Sequence, residues 1–213
     1  MSSEEAGAAP EQTWQEPLNL TDPKAMRALA HPVRMALLEL LSVAGTLTAT
    51  QASEVLGESP ANCAFHLRTL AKYGFVREAG GGRGRERPWT VTRSSVRISS
   101  TEQTDAQAAL AADALSLAWF EHWVDRARRT YANNARMPGW EHATNMTNRA
   151  IFLTAEEAEQ VNRELHEIID RYADRQRDPS LRPDGALPVE VAFFTSPLTD
   201  YASATTTQPR SQT

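Results

Sequence analysis

The stretch SPANCAFHLRTLAKY, residues 59–73, has the pattern of a helix with a clear start and two different faces. Ser59 is of a residue type that caps the free N–H groups of a helix, and Pro60 stands where its missing N–H costs nothing. Three residues at helical spacing predict an inward face: Cys63, Leu67 and Leu70. Small residues and an asparagine near the start, followed by Arg and Lys, are typical of a helix that enters a DNA major groove. For this stretch alone, an ordinary amphipathic helix with a solvated basic face is the alternative.

The residues just before this stretch predict the other half of a helix-turn-helix. Thr48 and Gln51 form a capping-box pattern that opens a helix over residues 49–56. Gly57 supplies a stop, and the next helix begins two residues later. Two short helices joined by a tight glycine-containing turn are a helix-turn-helix. Two earlier helices, at 24–30 and 32–43, are predicted because each is preceded by a proline signal.

A change of periodicity after Gly74 predicts a β-hairpin. Residues 75–78 and 88–92 have the pattern of strands, and a glycine-rich tip with three arginines lies between them. A hairpin in this place is the wing of the winged helix-turn-helix, and its arginines reach phosphates or the narrow minor groove. A nucleotide-binding glycine loop does not fit, because its third glycine is missing and a strand rather than a helix follows.

The segment DPKAMRALAHPVRMALL, residues 22–38, resembles the opening of ArsR-family winged-helix regulators, most specifically in Leu-Ala-His-Pro-Val-Arg. The resemblance continues through HLRTL at 66–70 and GFV at 74–76, and it covers roughly residues 22–92. It implies a dimeric transcription regulator, usually a repressor released by a small signal. A Trp-bearing helix followed by Phe-Leu-Thr-Ala-Glu-Glu is similar to longer members with an added C-terminal region.

Composition divides the 213 residues into four segments. Residues 1–20 are predicted to be a disordered acidic arm, 21–98 the winged helix-turn-helix, 99–200 a helical dimerisation and sensing region, and 201–213 a disordered tail. The predicted fold class is mainly α with a small β part. One cysteine, no leader and no apolar run of membrane-spanning length predict a cytoplasmic protein.

The net charge of −5 is unevenly distributed. Residues 1–20 carry four Glu and no basic residue, whereas 21–98 carry 11 basic and 6 acidic residues. Residues 99–213 carry 11 basic and 17 acidic residues. A basic module between acidic segments indicates a polyanionic partner.

A long helix is predicted over residues 102–133, where apolar residues repeat every seven positions: Leu110, Leu117, Val124 and Tyr131. Its apolar surface is widened by Leu115, Trp119, Phe120 and Trp123, so we expect the helix to pack against both its own subunit and a second copy. A monomeric core helix is the alternative. Two recognition helices one DNA turn apart also require a dimer.

The rest of the C-terminal region is predicted to hold a capped helix and two strands. Thr154 and Glu157 form a second capping box, which opens a helix reaching about residue 177. Strands are expected at 149–153 and 187–194, paired with each other. A small-molecule effector pocket is predicted from apolar residues: Trp119, Phe120, Trp123, Trp140 and Met146. Alternatively, this region only dimerises.

No metal, cofactor or catalytic site is predicted. Cys63 is the one cysteine, and soft-metal sites need several. The five histidines do not fall at metal-binding spacing: His31, His66, His122, His142 and His166. No nucleophile pattern is present either, so the chain is not expected to be an enzyme.

These patterns predict a dimeric, sequence-specific repressor of transcription that is released by a small-molecule or protein signal. Base edges are expected to meet Ala61, Asn62, Phe65 and His66, with Asn62 on adenine and Phe65 on a thymine methyl. For His66, packing in the core is the alternative. Phosphates are expected to meet Arg68, Lys72 and the wing. The full predicted DNA-binding set is Ser59, Ala61, Asn62, Phe65, His66, Arg68, Thr69, Lys72, Arg83, Arg85 and Arg87. The alternative is a protein-interaction module that keeps the fold and has lost DNA binding.

Overall fold

The computed structural model describes residues 18–82, 87–93, 96–98, 103, 105–133, 138–140, 142–143 and 147–201. The chain divides into two compact units, Met1–Asn145 and Met146–Thr213, and each is described by itself. The predicted fold class is confirmed, because the structure is mostly helical with a helix-turn-helix and a small three-stranded antiparallel sheet.

The first unit contains five helices and five short strands among its described residues. In chain order they are β1 Leu18–Asn19, α1 Pro23–Leu29, α2 Pro32–Ala44, β2 Thr46–Thr48, α3 Ala49–Leu56, α4 Pro60–Lys72, β3 Val76–Glu78, β4 Pro88–Val91, β5 Val96–Arg97 and α5 Ala106–Asn133.

Polar side chains start the first four helices, as the sequence patterns predict. The capping residues are Asp22 for α1, His31 for α2, Thr48 for α3 and Ser59 for α4. The Thr48–Gln51 capping box is confirmed in both directions, with the Gln51 N–H 3.2 Å from Thr48 Oγ1 and the Thr48 N–H 2.9 Å from Gln51 Oε1. Gly57 ends α3 in the left-handed region at φ 69°, which an L side chain adopts only with strain.

The predicted hairpin is confirmed and carries a third strand. The order is β2-β4-β3, all antiparallel, with Val76 opposite Val91 and Thr46 opposite Thr90. Strand β2 was not predicted, because a three-residue strand with no buried residue carries little hydrophobic pattern. Strand β3 of this sheet lies next to α4.

Three residues assigned to the acidic arm belong to the folded unit. Leu18 pairs in parallel with Val96 of β5, and Leu20 is 5% exposed. The predicted arm boundary at residue 20 is therefore too late by these residues. Leu20 is apolar and buried, so its place is set by hydrophobic contact rather than by the acidic composition before it.

One hydrophobic core joins the first unit from α1 to α5. Its fully buried side chains include Met26 and Leu29 of α1, Met35, Leu37 and Leu41 of α2, Leu67 and Leu70 of α4, and Leu115 of α5. Burying a side chain of this size contributes about 1.5–3 kcal/mol. Helices α4 and α5 therefore both contribute buried residues to one core.

Helix α5 packs through a face that the seven-residue repeat did not indicate. Its buried residues are Ala108, Ala111, Ala112 and Leu115, which lie against the core with α1 as the main neighbour. Leu110 and Leu117 of the predicted repeat are 70% and 60% exposed. Alanines permit close approach of two helices but contribute little to a hydrophobic pattern, so this face was missed. The helix belongs to the first unit, so the boundary between units falls after it rather than at residue 98.

The second unit is built on one capped helix. Helix α6 spans Ala155–Asp170, and the Thr154–Glu157 capping box is confirmed by contacts of 2.7 and 3.2 Å. The single helix predicted to about residue 177 is broken after Asp170, and a short α7, Asp174–Arg177, follows. Single 3₁₀ turns lie at Pro179–Leu181 and Thr199–Tyr201.

The strands predicted at 149–153 and 187–194 are wrong. Both segments are described and irregular, and their residues are exposed. Pro188 has no N–H for a sheet ladder, and in this chain neither segment covers a buried face that would hold it in a sheet. Across the described residues, no helix combines the length and the apolar character needed to cross a membrane.

Replacing Leu115 with Ala is expected to destabilise the first unit by roughly 2–5 kcal/mol, because this side chain of α5 is fully buried in the core. Urea unfolding of the full chain, followed by circular dichroism, measures the change. Ser116→Ala on the same helix is the control, since Ser116 is exposed and its replacement is expected to change stability by less than about 0.5 kcal/mol. Equal effects of the two substitutions would contradict this packing of α5.

Candidate nucleic-acid interface

Helix α4 has the two faces that its sequence predicts. Cys63, Leu67 and Leu70 are buried, at 0%, 1% and 0% exposure, and they fix the rotation of the helix on the core. The exposed residues on the other side are Ala61, Phe65, Arg68 and Lys72. The predicted division of the helix into an inward and an outward face is therefore confirmed.

His66 was predicted either to approach base edges or to pack, and the structure buries its side chain. The side chain is 6% exposed and its ring lies 4.5 Å from the ring of His31, measured between centroids. The position follows Cys63 by three residues and precedes Leu67 by one, so it falls on the inward face. The spacing alone was enough to show this.

Ser59 and Thr69 use their hydroxyl groups on the backbone of the helix itself. Ser59 Oγ accepts from the Asn62 N–H at 3.1 Å, which satisfies one free donor of the first turn. Thr69 Oγ1 donates to the Phe65 carbonyl at 3.0 Å. In this structure Ser59 starts the helix, and the Thr69 hydroxyl is directed along it.

Asn62 is held by a neighbouring carboxylate that the sequence patterns did not indicate. Its Nδ2 donates to Glu58 Oε2 at 2.8 Å, and Asn62 is half-buried. An amide carries two N–H donors and one carbonyl acceptor, so this contact leaves one N–H and the carbonyl for a further partner. In the major groove, adenine presents an acceptor and a donor that match this N–H and this carbonyl. Glu58 precedes Asn62 by four residues, which was the available signal.

Phe65 is an aromatic side chain on the outward face and is 56% exposed. Its ring meets the edge of the His66 ring at 5.2 Å between centroids, which holds it against the folded unit. Arg68 and Lys72 continue this face toward the end of α4, and Lys72 Nζ lies 5.6 Å from the centre of the Tyr73 ring. The outward face is therefore apolar near its start and cationic near its end.

The wing is described at its base. Arg87 Nη1 donates to Glu78 Oε1 at 2.8 Å across the hairpin, and this hydrogen bond raises the pKa of Arg87. Both side chains are exposed, so the pair contributes little to stability. Arg83 and Arg85 lie outside the described residues. Arg77 of β3 is a further exposed cation on this hairpin, outside the predicted DNA-binding set.

Two histidines and an arginine form a partly buried cluster between α2 and α4. His31 Nδ1 accepts from the Val33 N–H at 3.2 Å, while His66 Nδ1 and Arg34 Nε are buried without a hydrogen-bond partner among the described residues. Burial lowers the pKa of His31 and of His66, with nearby Arg34 adding to both effects. Burial also raises the pKa of the Cys63 thiol, which keeps it protonated and unreactive.

The predicted effector pocket stays a prediction, because one of its five residues lies outside the described part of the chain. Phe120 and Trp123 lie side by side with ring centroids 5.9 Å apart, but Phe120 is 45% exposed. Trp119 is half-buried against the core of the first unit. Trp140 lies in a turn beyond α5, and Met146 lies outside the described residues. Of the five predicted residues, the structure therefore brings Phe120 and Trp123 together.

A family model described as a helix-turn-helix domain matches residues 29–79. The matched range runs from the end of α1 through α2, α3 and α4 to just past β3. No curated protein matches the chain significantly. The match indicates a DNA-binding transcription regulator rather than an enzyme, and double-stranded DNA as its partner.

Acid is expected to destabilise the first unit through the His31–His66 pair. Because burial lowers both pKa values below the ordinary 6.5, the unfolded chain binds more protons than the folded chain as the pH falls below about 6.5. The stabilising contribution of the neutral rings is complete above this pH and is lost below it. His66→Phe removes one titrating ring, so it is expected to lose less stability than the natural chain between about pH 7.5 and pH 5.

The measurement is urea unfolding at both pH values. His142→Gln is the matched control, because His142 is exposed and outside the cluster, and it is expected to follow the natural chain. An identical loss of stability in His66→Phe and the natural chain would rule out the buried pair as a source of acid sensitivity.

Proposed function

We propose that this protein is a homodimeric repressor of the ArsR type, which binds an operator through α4 and the wing and is released by a small-molecule or protein signal. The observation that carries the proposal is the outward face of α4. This face combines small, amide, aromatic and cationic groups on a capped helix that the core holds in place. The Leu-Ala-His-Pro-Val-Arg motif supports the ArsR assignment.

Sequence is read, in this proposal, by the first two turns of α4. Asn62 takes adenine with its free N–H and its carbonyl, while Glu58 holds the amide in place. Phe65 contacts a thymine methyl group, and Ala61 is small enough to let the helix approach the base edges. His66 has no place among these contacts because it is buried.

Phosphates are bound at the end of α4 and along the wing. Arg68 and Lys72 are exposed cations one turn apart, and Arg87 stands at the base of the hairpin. We assign Arg83 and Arg85 to the same role from their places in the sequence. Such contacts set affinity and its salt dependence but carry no sequence information.

The exposed side of α5 supports dimerisation. Leu110 and Leu117 stand one heptad apart, Phe120 follows within a turn, and the three are 70%, 60% and 45% exposed. The opposite side of the same helix is already buried in the core. Exposed apolar residues in a row on a rigid helix are typical of an interface, and a second copy of α5 gives them a matching partner. A dimer then presents two recognition helices to a two-fold operator.

Fluorescence anisotropy tests the DNA-binding part with the chain's own promoter duplex and a scrambled duplex over a salt series. Asn62→Ala is expected to weaken promoter binding by about 5- to 150-fold, or about 1–3 kcal/mol, and to leave the scrambled duplex unaffected. Arg68→Ala, on the same helix, is expected to weaken both duplexes and to reduce the salt slope by about 1. Equal binding of both duplexes by the natural chain would favour the protein-interaction module instead.

Sedimentation of the full chain tests the dimer. Leu117→Glu places a charge in the middle of the proposed interface and is expected to give a monomer at concentrations where the natural chain is a dimer. Ser116→Glu adds the same charge one position earlier, on an exposed polar site, and is expected to leave the dimer intact. A natural chain that sediments as a monomer would contradict the assignment of the α5 face.

A further inference from the structure

A groove of about 280 Å³ lies within the first unit, between α2, α3 and α5. This volume is close to the lower end of the range for ligand pockets, roughly 300 Å³. The groove is distinct from both the outward face of α4 and the predicted tryptophan pocket.

One side of the groove is apolar. It is formed by Leu40 and Val43 of α2 and by Leu56 of α3. Val43 is 50% exposed, whereas Leu40 and Leu56 are half-buried and rest on the core. A hydrocarbon group laid against these residues would remove their remaining surface from water, which is favourable by about 25 cal/mol per Å².

The other side of the groove is charged, and its charges do not balance. Glu39 Oε2 lies 3.0 Å from His122 Nε2 and also contacts Arg126 Nη1. Arg129 lines the same groove one turn further along α5. Glu39 is the one carboxylate among the described lining residues, and it faces two permanently charged arginines. The lining therefore carries at least one excess positive charge.

The groups that contact Glu39 are partly shielded from water, whereas Arg129 is exposed. The exposed fractions of the side chains are 12% for His122, 25% for Glu39 and 30% for Arg126. A charge in such a place is screened less than one on an open surface. A negative group that enters the groove is therefore attracted by Arg126 and Arg129 together, and a guanidinium matches a carboxylate with two parallel hydrogen bonds.

We propose that this groove binds a small amphiphilic carboxylate, with its hydrocarbon part against Leu40, Val43 and Leu56 and its carboxylate on Arg129 and Arg126. A ligand of this class satisfies both sides of the groove at once. A neutral alcohol of the same length satisfies only the apolar side, and an amine places a like charge beside the arginines.

The groove is also placed to influence DNA binding. Glu39 ties α2 to α5, and α2 packs against α4 through the common core. A ligand carboxylate competes with Glu39 for Arg126, so it favours a different relation between α5 and the DNA-binding helices. This regulatory role rests on the proposed function, whereas binding of the carboxylate does not.

Isothermal titration of the full chain with sodium hexanoate, octanoate and decanoate, below their micelle concentrations, tests the site. We expect saturable binding of one ligand per chain for at least one chain length, with the alcohol of that length at least 10-fold weaker and the amine showing none. Arg129→Gln is expected to weaken binding at least 10-fold. Arg128→Gln is the matched control, because Arg128 is 75% exposed on the next position and pairs with Asp125 at 3.0 Å.

Val43→Glu provides a second variant, because it puts a negative charge on the exposed rim of the apolar side and is expected to abolish binding. Thermal unfolding of each variant checks that it is folded. Absence of saturable binding by all three carboxylates, or equal binding by the two arginine variants, overturns the proposal. A Val43→Glu variant that no longer dimerises but still binds the carboxylate also overturns the proposal. In that case the groove would be covered by a second copy of the chain, and the carboxylate would bind elsewhere.

Promoter anisotropy with and without the bound carboxylate separates the two proposals. Carboxylate binding together with weaker promoter binding supports both the site and its regulatory role. Carboxylate binding by a chain that ignores its promoter supports the site and contradicts the proposed function. Promoter binding by a chain that takes no carboxylate overturns the site and leaves the repressor proposal standing.

Discussion

The burial of Leu67 and Leu70 beneath α4 is the constraint on which the outward chemistry of the chain depends. With these residues fully enclosed, the helix has one rotation on the core, and that rotation decides which side chains face solvent. Asn62, Phe65 and Arg68 are outward because the leucines are inward. The cap at Ser59 then fixes where the helix begins, so the height of each outward residue along the helix is set as well. A binding surface built in this way needs no rigid loop to position it.

The same core connects the recognition helix to the long helix. Leu115 of α5 is enclosed with the leucines of α4, and Glu39 of α2 reaches across to His122 and Arg126. Within the first unit, a change in how α5 packs therefore alters the packing of α2 and α4 directly, through the shared core. This arrangement allows the far side of α5 to meet a partner while its near side remains part of the DNA-binding module.

Local signals predicted much of this structure, because caps and turns depend on a few neighbouring residues. The Thr48 and Thr154 capping boxes, the proline starts and the hairpin after Gly74 all appear where the sequence places them. Two predicted strands, at 149–153 and 187–194, are absent, and the remaining differences mostly concern what an element packs against. The repeat at Leu110 and Leu117 marks an apolar face, but periodicity does not say which face meets the core, and small alanines took that place. His66 lies on the inward face that its spacing indicates, which favours packing over base contact. The expected strand at 187–194 has apolar residues but no sheet to join.

The pairing of Leu18–Asn19 with Val96–Arg97 joins an early segment of the chain to the segment that leads into α5. Strand β5 comes shortly before α5, and Gln103 Nε2 donates to the Leu20 carbonyl at 3.2 Å in the same region. Proteolytic trimming after Leu20 would therefore remove a strand, a buried leucine and an anchor of the segment leading into α5. Cleavage here would weaken the start of α5, although the cleaved bond lies far earlier in the sequence. Trimming at this point is thus a structural event for the whole first unit rather than the loss of an appendage.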